Sequence, residues 1–241
     1  MLFRQLFDLQ SSTYTYLLGD PQTGEAALID PVLENVDRDL QFVEQLGLRL
    51  VRVFDTHVHA DHVTGAAALR ERTGARTVSG RGGAVCADLH AEPATVVRVG
   101  RLGLRVLSTP GHTHDSVSYL LTDPELEDGP GDRVFTGDAL LIRAAGRTDF
   151  QNGDAGALYD SITRALFTLP DATLVYPGHD YYGRTVSTVG EEKRWNLRIA
   201  GRSRAEFIAE MGSLHLAAPK RLRQAVPANL ACGREPNLVQ G

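Results

Sequence analysis

Six of the eight histidines in this 241-residue chain fall in three short stretches. The first is Thr56-His57-Val58-His59-Ala60-Asp61-His62, directly after an apolar run at residues 50–54. The second, Thr109-Pro110-Gly111-His112-Thr113-His114, and the third, Tyr176-Pro177-Gly178-His179-Asp180, each place a Pro-Gly turn just before a histidine. Between them lies Thr136-Gly137-Asp138, which offers a carboxylate at the end of another apolar run. Neutral imidazole with carboxylate suits zinc, iron or manganese, and a ligand set without cysteine argues against a structural zinc. A lone histidine at a strand end is usually a hydrogen-bonded turn residue. Packing three imidazoles and a carboxylate into one short loop, however, has no stability motive, so that cluster reads as metal binding together with His112 and Asp138. His114 is ambiguous by residue type and spacing, and His90 and His215 read as ordinary surface or helical residues.

Something must hold these groups at one place, and short strands ending at each motif would do so. Residues 13–18 and 26–29 are strand-like and flank the turn signal Gly19-Asp20-Pro21, which predicts a hairpin. Further strands are expected at 50–54, 76–78, 96–99, 104–107, 117–121, 134–136 and 173–176. Val36, Leu40, Val43 and Leu48 mark one face of a helix, and Leu158, Ile162, Ala165 and Leu166 mark another. Ser203 and Glu206 form a capping-box pattern ahead of Phe207, Ile208, Met211 and Leu214. Many consecutive strands have no helix between them, so two sheets with helices outside fit better than a doubly wound parallel sheet. Residues 123–132 are acidic and rich in Gly and Pro, as a surface loop would be.

Composition narrows the function classes. At roughly 150 residues per domain the length suggests about 1.6 domains, here taken as a single domain over residues 1–241 with a short C-terminal extension. With 42% hydrophobic and 23% charged residues the chain is ordinary globular. Lys+Arg 25 against Asp+Glu 30 gives a net charge of −5, and the basic residues are scattered, which disfavours nucleic acid. No apolar run is long enough for a membrane span, and charge interrupts the N-terminus too early for a signal peptide. Two cysteines, Cys86 and Cys232, exclude a secreted disulfide framework and make a reducing, cytoplasmic compartment the simplest expectation.

The motifs around His57-Val58-His59-Ala60-Asp61-His62, Pro110-Gly111-His112, Thr136-Gly137-Asp138 and Pro177-Gly178-His179 resemble the metal signature of the metallo-β-lactamase superfamily. Gly146-Arg147-Thr148-Asp149-Phe150-Gln151, His179-Asp180-Tyr181, Thr185-Val186-Ser187-Thr188-Val189 and Ala225-Val226-Pro227-Ala228-Asn229 are similar, more narrowly, to the persulfide dioxygenase (sulfur dioxygenase) family. The resemblance covers almost the whole chain. It implies an α+β fold, the αβ/βα sandwich of two sheets flanked by helices. It also implies one Fe(II) per chain held by His57, His112 and Asp138, a set that leaves about three coordination positions open. His59, Asp61, His62 and His179 correspond to the second metal position of the superfamily's hydrolases and, in the dioxygenases, line the pocket without a second ion. The implied reaction oxidises glutathione persulfide with O₂ to sulfite and glutathione. Arg147, Tyr181 and Arg198 stand where contacts to the glutathione carboxylates are expected, with Arg143 and Arg184 as weaker candidates. Family members commonly pair as homodimers. Ala144-Ala145 replaces a cysteine that family members often carry, and Cys232 matches a family position where it reads as a small buried hydrophobe.

Two other functions compete. A glyoxalase II-like hydrolase of glutathione thioesters, with a binuclear metal site, shares the fold and most ligands. It would need a long helical substrate-binding region after His179, where this chain carries dioxygenase-like motifs instead. A metal-retaining sulfur-binding or redox-sensing module without turnover would have little use for a complete ligand set.

Overall fold

The computed structural model describes residues 1–122 and 132–234, so the expected acidic loop lies, apart from Asp132, outside the described residues. Two six-stranded sheets face one another. The first runs in the order β1 (Leu2–Phe7), β2 (Tyr14–Asp20), β3 (Glu25–Ile29), β4 (Arg49–Phe54), β5 (Arg76–Gly80) and β6 (Leu89–Ala91). Its first three strands pair antiparallel, including the expected hairpin, and β3 to β6 pair parallel. The helices α1 (Val36–Gln45) and α2 (Ala66–Thr73) make the crossovers from β3 to β4 and from β4 to β5.

The second sheet contains β7 (Val96–Val99), β8 (Leu102–Ser108), β9 (Val117–Thr122) and β10 (Arg133–Gly137). After a short β11–β12 hairpin (Leu140–Leu141 with Ala144–Ala145) it is completed by β13 (Leu174–Pro177) and β14 (Ser187–Thr188). Among the described residues, only β10 and β13 pair parallel in it. Outside it lie α3 (Ala155–Ser161), α4 (Val189–Trp195) and α5 (Arg204–Gly212), while α6 (Leu222–Leu230) crosses back to the first half.

Alternation along the strands builds three cores. Tyr16 and Leu18 of β2, Phe54 of β4, Leu104 of β8 and Phe135 of β10 fill the space between the sheets. Leu17, Leu28 and Val53 point the other way, onto α1 and α2, and Val134 faces α3 and α5 with Leu158, Ile162 and Phe207. Every residue of β2 is therefore buried, and each such large side chain contributes about 1.5–3 kcal/mol. The helix ends are specified locally. Asp154 caps α3 by accepting from the Ala157 amide, and Ser203 and Glu206 make the expected capping box at α5.

One expectation is corrected. Cys232 is buried, but not as an isolated small hydrophobe: its sulfur is bonded to that of Cys86, 146 residues away. With the two cysteines paired, the low cysteine count no longer argues for a reducing compartment. Among the described residues, no helix is long and apolar enough to cross a membrane.

Candidate metal centre

Four strands, β4 from the first sheet and β8, β10 and β13 from the second, end at one edge of the sandwich, and each delivers one of the motifs there. The side-chain atoms of His57, His112 and Asp138 that could hold a metal ion converge within 4.8 Å of one another. His112 Nε2 lies 3.7 Å from an Asp138 oxygen.

Hydrogen bonds set which ring nitrogen each histidine can offer. The Thr56 hydroxyl donates to Asp30 Oδ2 at 2.9 Å, so its oxygen accepts from His57 Nδ1, also at 2.9 Å. His112 Nδ1 donates to the Arg147 carbonyl at 2.7 Å. Both rings are thus held with Nε2 free to act as a ligand, the outer-shell arrangement usual for metal-binding histidines. Burial holds the His57 imidazole well below its ordinary value, and His59 and His112 nearby push the same way, which favours the neutral ligating form. Burial alone would raise the Asp138 carboxyl, but His179, His112 and His57 outweigh it and keep Asp138 an anion.

The remaining polar groups form a second layer. His179 donates through Nδ1 to Asp138 Oδ1 at 2.6 Å, and its Nε2 lies 2.9 Å from Asp61 Oδ2. That same Asp61 oxygen takes Thr13 Oγ1 at 3.1 Å and His62 Nδ1 at 2.9 Å. His59 bonds Asp30 at 3.1 Å; burial opposes its charge, but Asp30 prevails and its pKa is pushed up to about 9. His59, Asp61 and His62 also have ligand atoms within 4.8 Å of one another, and His59 Nδ1 and His62 Nε2 are buried without a partner.

The loop carrying these groups is held by carboxylates that sequence reasoning passed over. Asp30 accepts the Thr56 amide at 2.7 Å, and Asp115 accepts the Val58 amide at 2.9 Å. Asp115 directly follows His114, so its position beside a motif was the available signal. Asp30, by contrast, stands far from any histidine in sequence. His114 itself is half exposed and faces Asp115 at 4.0 Å, away from the three converging ligands. His90 is exposed on β6 and His215 is exposed outside any helix or strand.

A cavity of about 490 Å³ opens over the centre, lined by His112, Asp138, Arg147, Phe150, His179 and Tyr181, with residues 216–220 along one wall. Arg147 and Tyr181 are therefore brought to the metal group; Arg198 is not a lining residue and pairs instead with Glu210 at 2.7 Å. Arg143 binds Glu191 and Glu192, and Arg184 binds Asp180 at 3.0 Å. Arg147 already holds Asp149 through two bonds and the carbonyls of Leu216 and Ala217 through two more. Lys220, which the motifs did not single out, contributes a further cation to the wall.

Gly146 lets this layer close. A Cβ there would lie 2.0 Å from the Asp138 carbonyl oxygen and 2.9 Å from His112 Nδ1. Gly146→Ala should therefore displace both of these candidate ligands, and metal content after gel filtration should fall to a minor fraction of wild type while the far-ultraviolet dichroism stays native.

Residues 9–85 and 90–179 match the metallo-beta-lactamase superfamily. The human mitochondrial persulfide dioxygenase ETHE1 is 48% identical over 234 residues, covering 97% of this chain and 89% of that protein. The crystal structure of ETHE1 from Myxococcus xanthus superposes with a TM-score of 0.93 at 63% identity, covering 97% of this chain and all of that one. The chain belongs to the persulfide dioxygenase family. A hydroxyacylglutathione hydrolase from a Polaromonas strain is 37% identical, but over only 174 residues, 70% of this chain and 62% of that protein. The similarity to ETHE1 continues past His179, where the match to the superfamily as a whole stops.

Proposed function

We propose that the protein is an iron-dependent persulfide dioxygenase that oxidises glutathione persulfide with O₂ to sulfite and glutathione, with one Fe(II) per chain held by His57, His112 and Asp138. The observation that carries this reading is the convergence of His57, His112 and Asp138, with ligand atoms within 4.8 Å of one another, at the floor of a cavity that Arg147 and Tyr181 also line. The donor set fits iron: two imidazoles with Nε2 free and one carboxylate are the facial triad of non-haem oxygenases. When bound, ferrous iron supplies the open coordination positions and the electron transfer that spin-forbidden O₂ chemistry requires.

The chain's own residues do the rest. Asp30, through Thr56, fixes the His57 ring, and the Arg147 carbonyl fixes His112. Phe150 sets an apolar edge against His112, with ring centroids 5.8 Å apart, and keeps water from that side of the cavity. Tyr181 stacks on His179 with ring centroids 6.1 Å apart and lines the cavity while remaining largely exposed. Arg147 and Tyr181 are proposed to orient the glutathione part, with Arg198, tied to Glu210, serving only if that pair opens.

Arg147→Ala should raise KM for glutathione persulfide far more than it changes iron content. A lost charged hydrogen bond lowers kcat/KM by roughly 1.5–3 kcal/mol. Unchanged steady-state kinetics would remove Arg147 from the substrate site. A specific observation keeps the thioester-hydrolase reading in view: His59, Asp61 and His62 bring a second set of potential ligand atoms within 4.8 Å of one another, and each of the two histidines keeps one buried ring nitrogen without a partner. Oxygen consumption and sulfite release by iron-loaded protein given glutathione persulfide test the main reading directly.

A further inference from the structure

The C-terminal helix reaches the metal loop through one side chain. Asn229, on the last turn of α6, is 2% exposed and lies against residues 59–64, the second half of the loop that begins with the ligand His57. Its Oδ1 accepts the Thr64 amide at 2.8 Å. Its two Nδ2 protons go to the carbonyls of His59 at 2.9 Å and His62 at 2.8 Å. Three buried backbone groups of that loop therefore find their partner in one amide that is 165 residues away in sequence from Thr64. Only an amide can do this, because the site needs an acceptor and two donors on one planar group.

Asn229 is itself anchored just beyond. The Cys232 carbonyl accepts the Ala67 amide at 2.9 Å and the Leu230 carbonyl accepts the Val85 amide at 3.1 Å. Gly233 approaches so closely that a Cβ would lie 2.0 Å from the Thr64 carbonyl oxygen. The Cys86–Cys232 disulfide ties this end of α6 covalently to the segment before β6.

We propose that Asn229 is a positioning residue of the metal site, acting through the backbone of residues 59–64, and that the Cys86–Cys232 disulfide holds it in register. The inference rests on His57, His112 and Asp138 being the metal site, and not on which reaction that site performs. The dithiol form arises by ordinary exchange. One thiolate attacks a protein sulfur and forms a mixed disulfide while the other cysteine leaves as thiolate; a second thiol then releases the oxidised small disulfide. Two thiols are oxidised for each protein disulfide reduced, and glutathione, the product of the proposed reaction, is a reductant of this class.

The test uses the full chain without metal. Amide hydrogen exchange is measured for wild type, for wild type reduced with glutathione, and for Asn229→Ala, Asn229→Asp and Cys86→Ser. In Asn229→Ala the peptide covering residues 57–64 should exchange at least about tenfold faster, with β8 and β9 unchanged. Chelator competition should then show iron affinity reduced about 10–100-fold, the usual effect of losing an outer-shell partner. Asn229→Asp should behave like Asn229→Ala, since a carboxylate cannot donate to the His59 and His62 carbonyls. Reduced protein and Cys86→Ser should move in the same direction by a smaller factor. With iron restored, kcat should fall with KM unchanged. Wild-type exchange at 57–64 in both Asn229 variants would overturn the proposal, and so would acceleration spread equally over all strands. If the Asn229 variants do not fold, identical exchange at 57–64 in oxidised and reduced wild type overturns it. Because exchange is read without metal or substrate, failure of the dioxygenase reading leaves this result standing.

Discussion

Asp138→Ala should abolish iron retention, while His62→Ala should leave most of the iron bound. Asp138 is the only anionic member of the converging group, and its other oxygen accepts from His179 at 2.6 Å. Removing it deletes a ligand and leaves a buried imidazole facing a cavity with one carboxylate fewer, the costly case of a buried polar group losing its partner. His62 stands one layer out. It touches Asp61 and Thr13, and outer-shell losses of this kind cost about 10–100-fold in affinity, whereas a missing ligand removes the site itself. Iron per chain, measured on protein produced in iron-replete medium, distinguishes the two variants. Wild type should carry one iron, and two metals per chain, both needed for activity, would establish the binuclear alternative.

Excluding oxygen should stop turnover of glutathione persulfide altogether. In the proposed reaction the outer sulfur supplies all four electrons that O₂ takes up, so no external reductant enters. The balance is persulfide plus O₂ plus water giving thiol, sulfite and two protons, or about one O₂ per sulfite by stoichiometry. A hydrolase has no use for oxygen. An oxygen electrode coupled to sulfite determination therefore separates the classes. Glutathione thioesters cleaved equally well under argon, with no sulfite from the persulfide in air, would assign the protein to the hydrolases. The longer stretch of similarity to ETHE1 than to the hydroxyacylglutathione hydrolase favours the oxygen-dependent result.

How far the sequence reaches can be judged at particular residues. The three histidine motifs and Thr136-Gly137-Asp138 were recognisable because each combines a local turn signal with residue types that carry chemistry, and each follows an apolar run that ends a strand. The Ser203–Glu206 cap and the β2–β3 hairpin were equally local. Several elements escaped, among them the short strands β6 and β14 and the helix α4. β1 is an edge strand with mixed exposure, α2 lacks an apolar stripe of its own, and α6 contains Pro227, which ordinarily argues against a helix interior.

What only tertiary structure decided is which partner each polar group meets. Arg147 stands in a motif and Arg198 does not, but sequence alone assigns neither a partner: one lines the cavity and pins residues 216 and 217 while the other is committed to Glu210. Asp30, Asp115 and Asn229 converge on one loop from separate elements, and Cys86 meets Cys232 across 146 residues. Periodicity and turn chemistry depend on neighbours within a few residues, so a chain shows its elements and its reactive groups directly. Hydrogen bonds, ion pairs and disulfides between distant segments depend on how the two sheets and the C-terminal helix pack, and packing is settled by the burial of side chains from the whole chain at once.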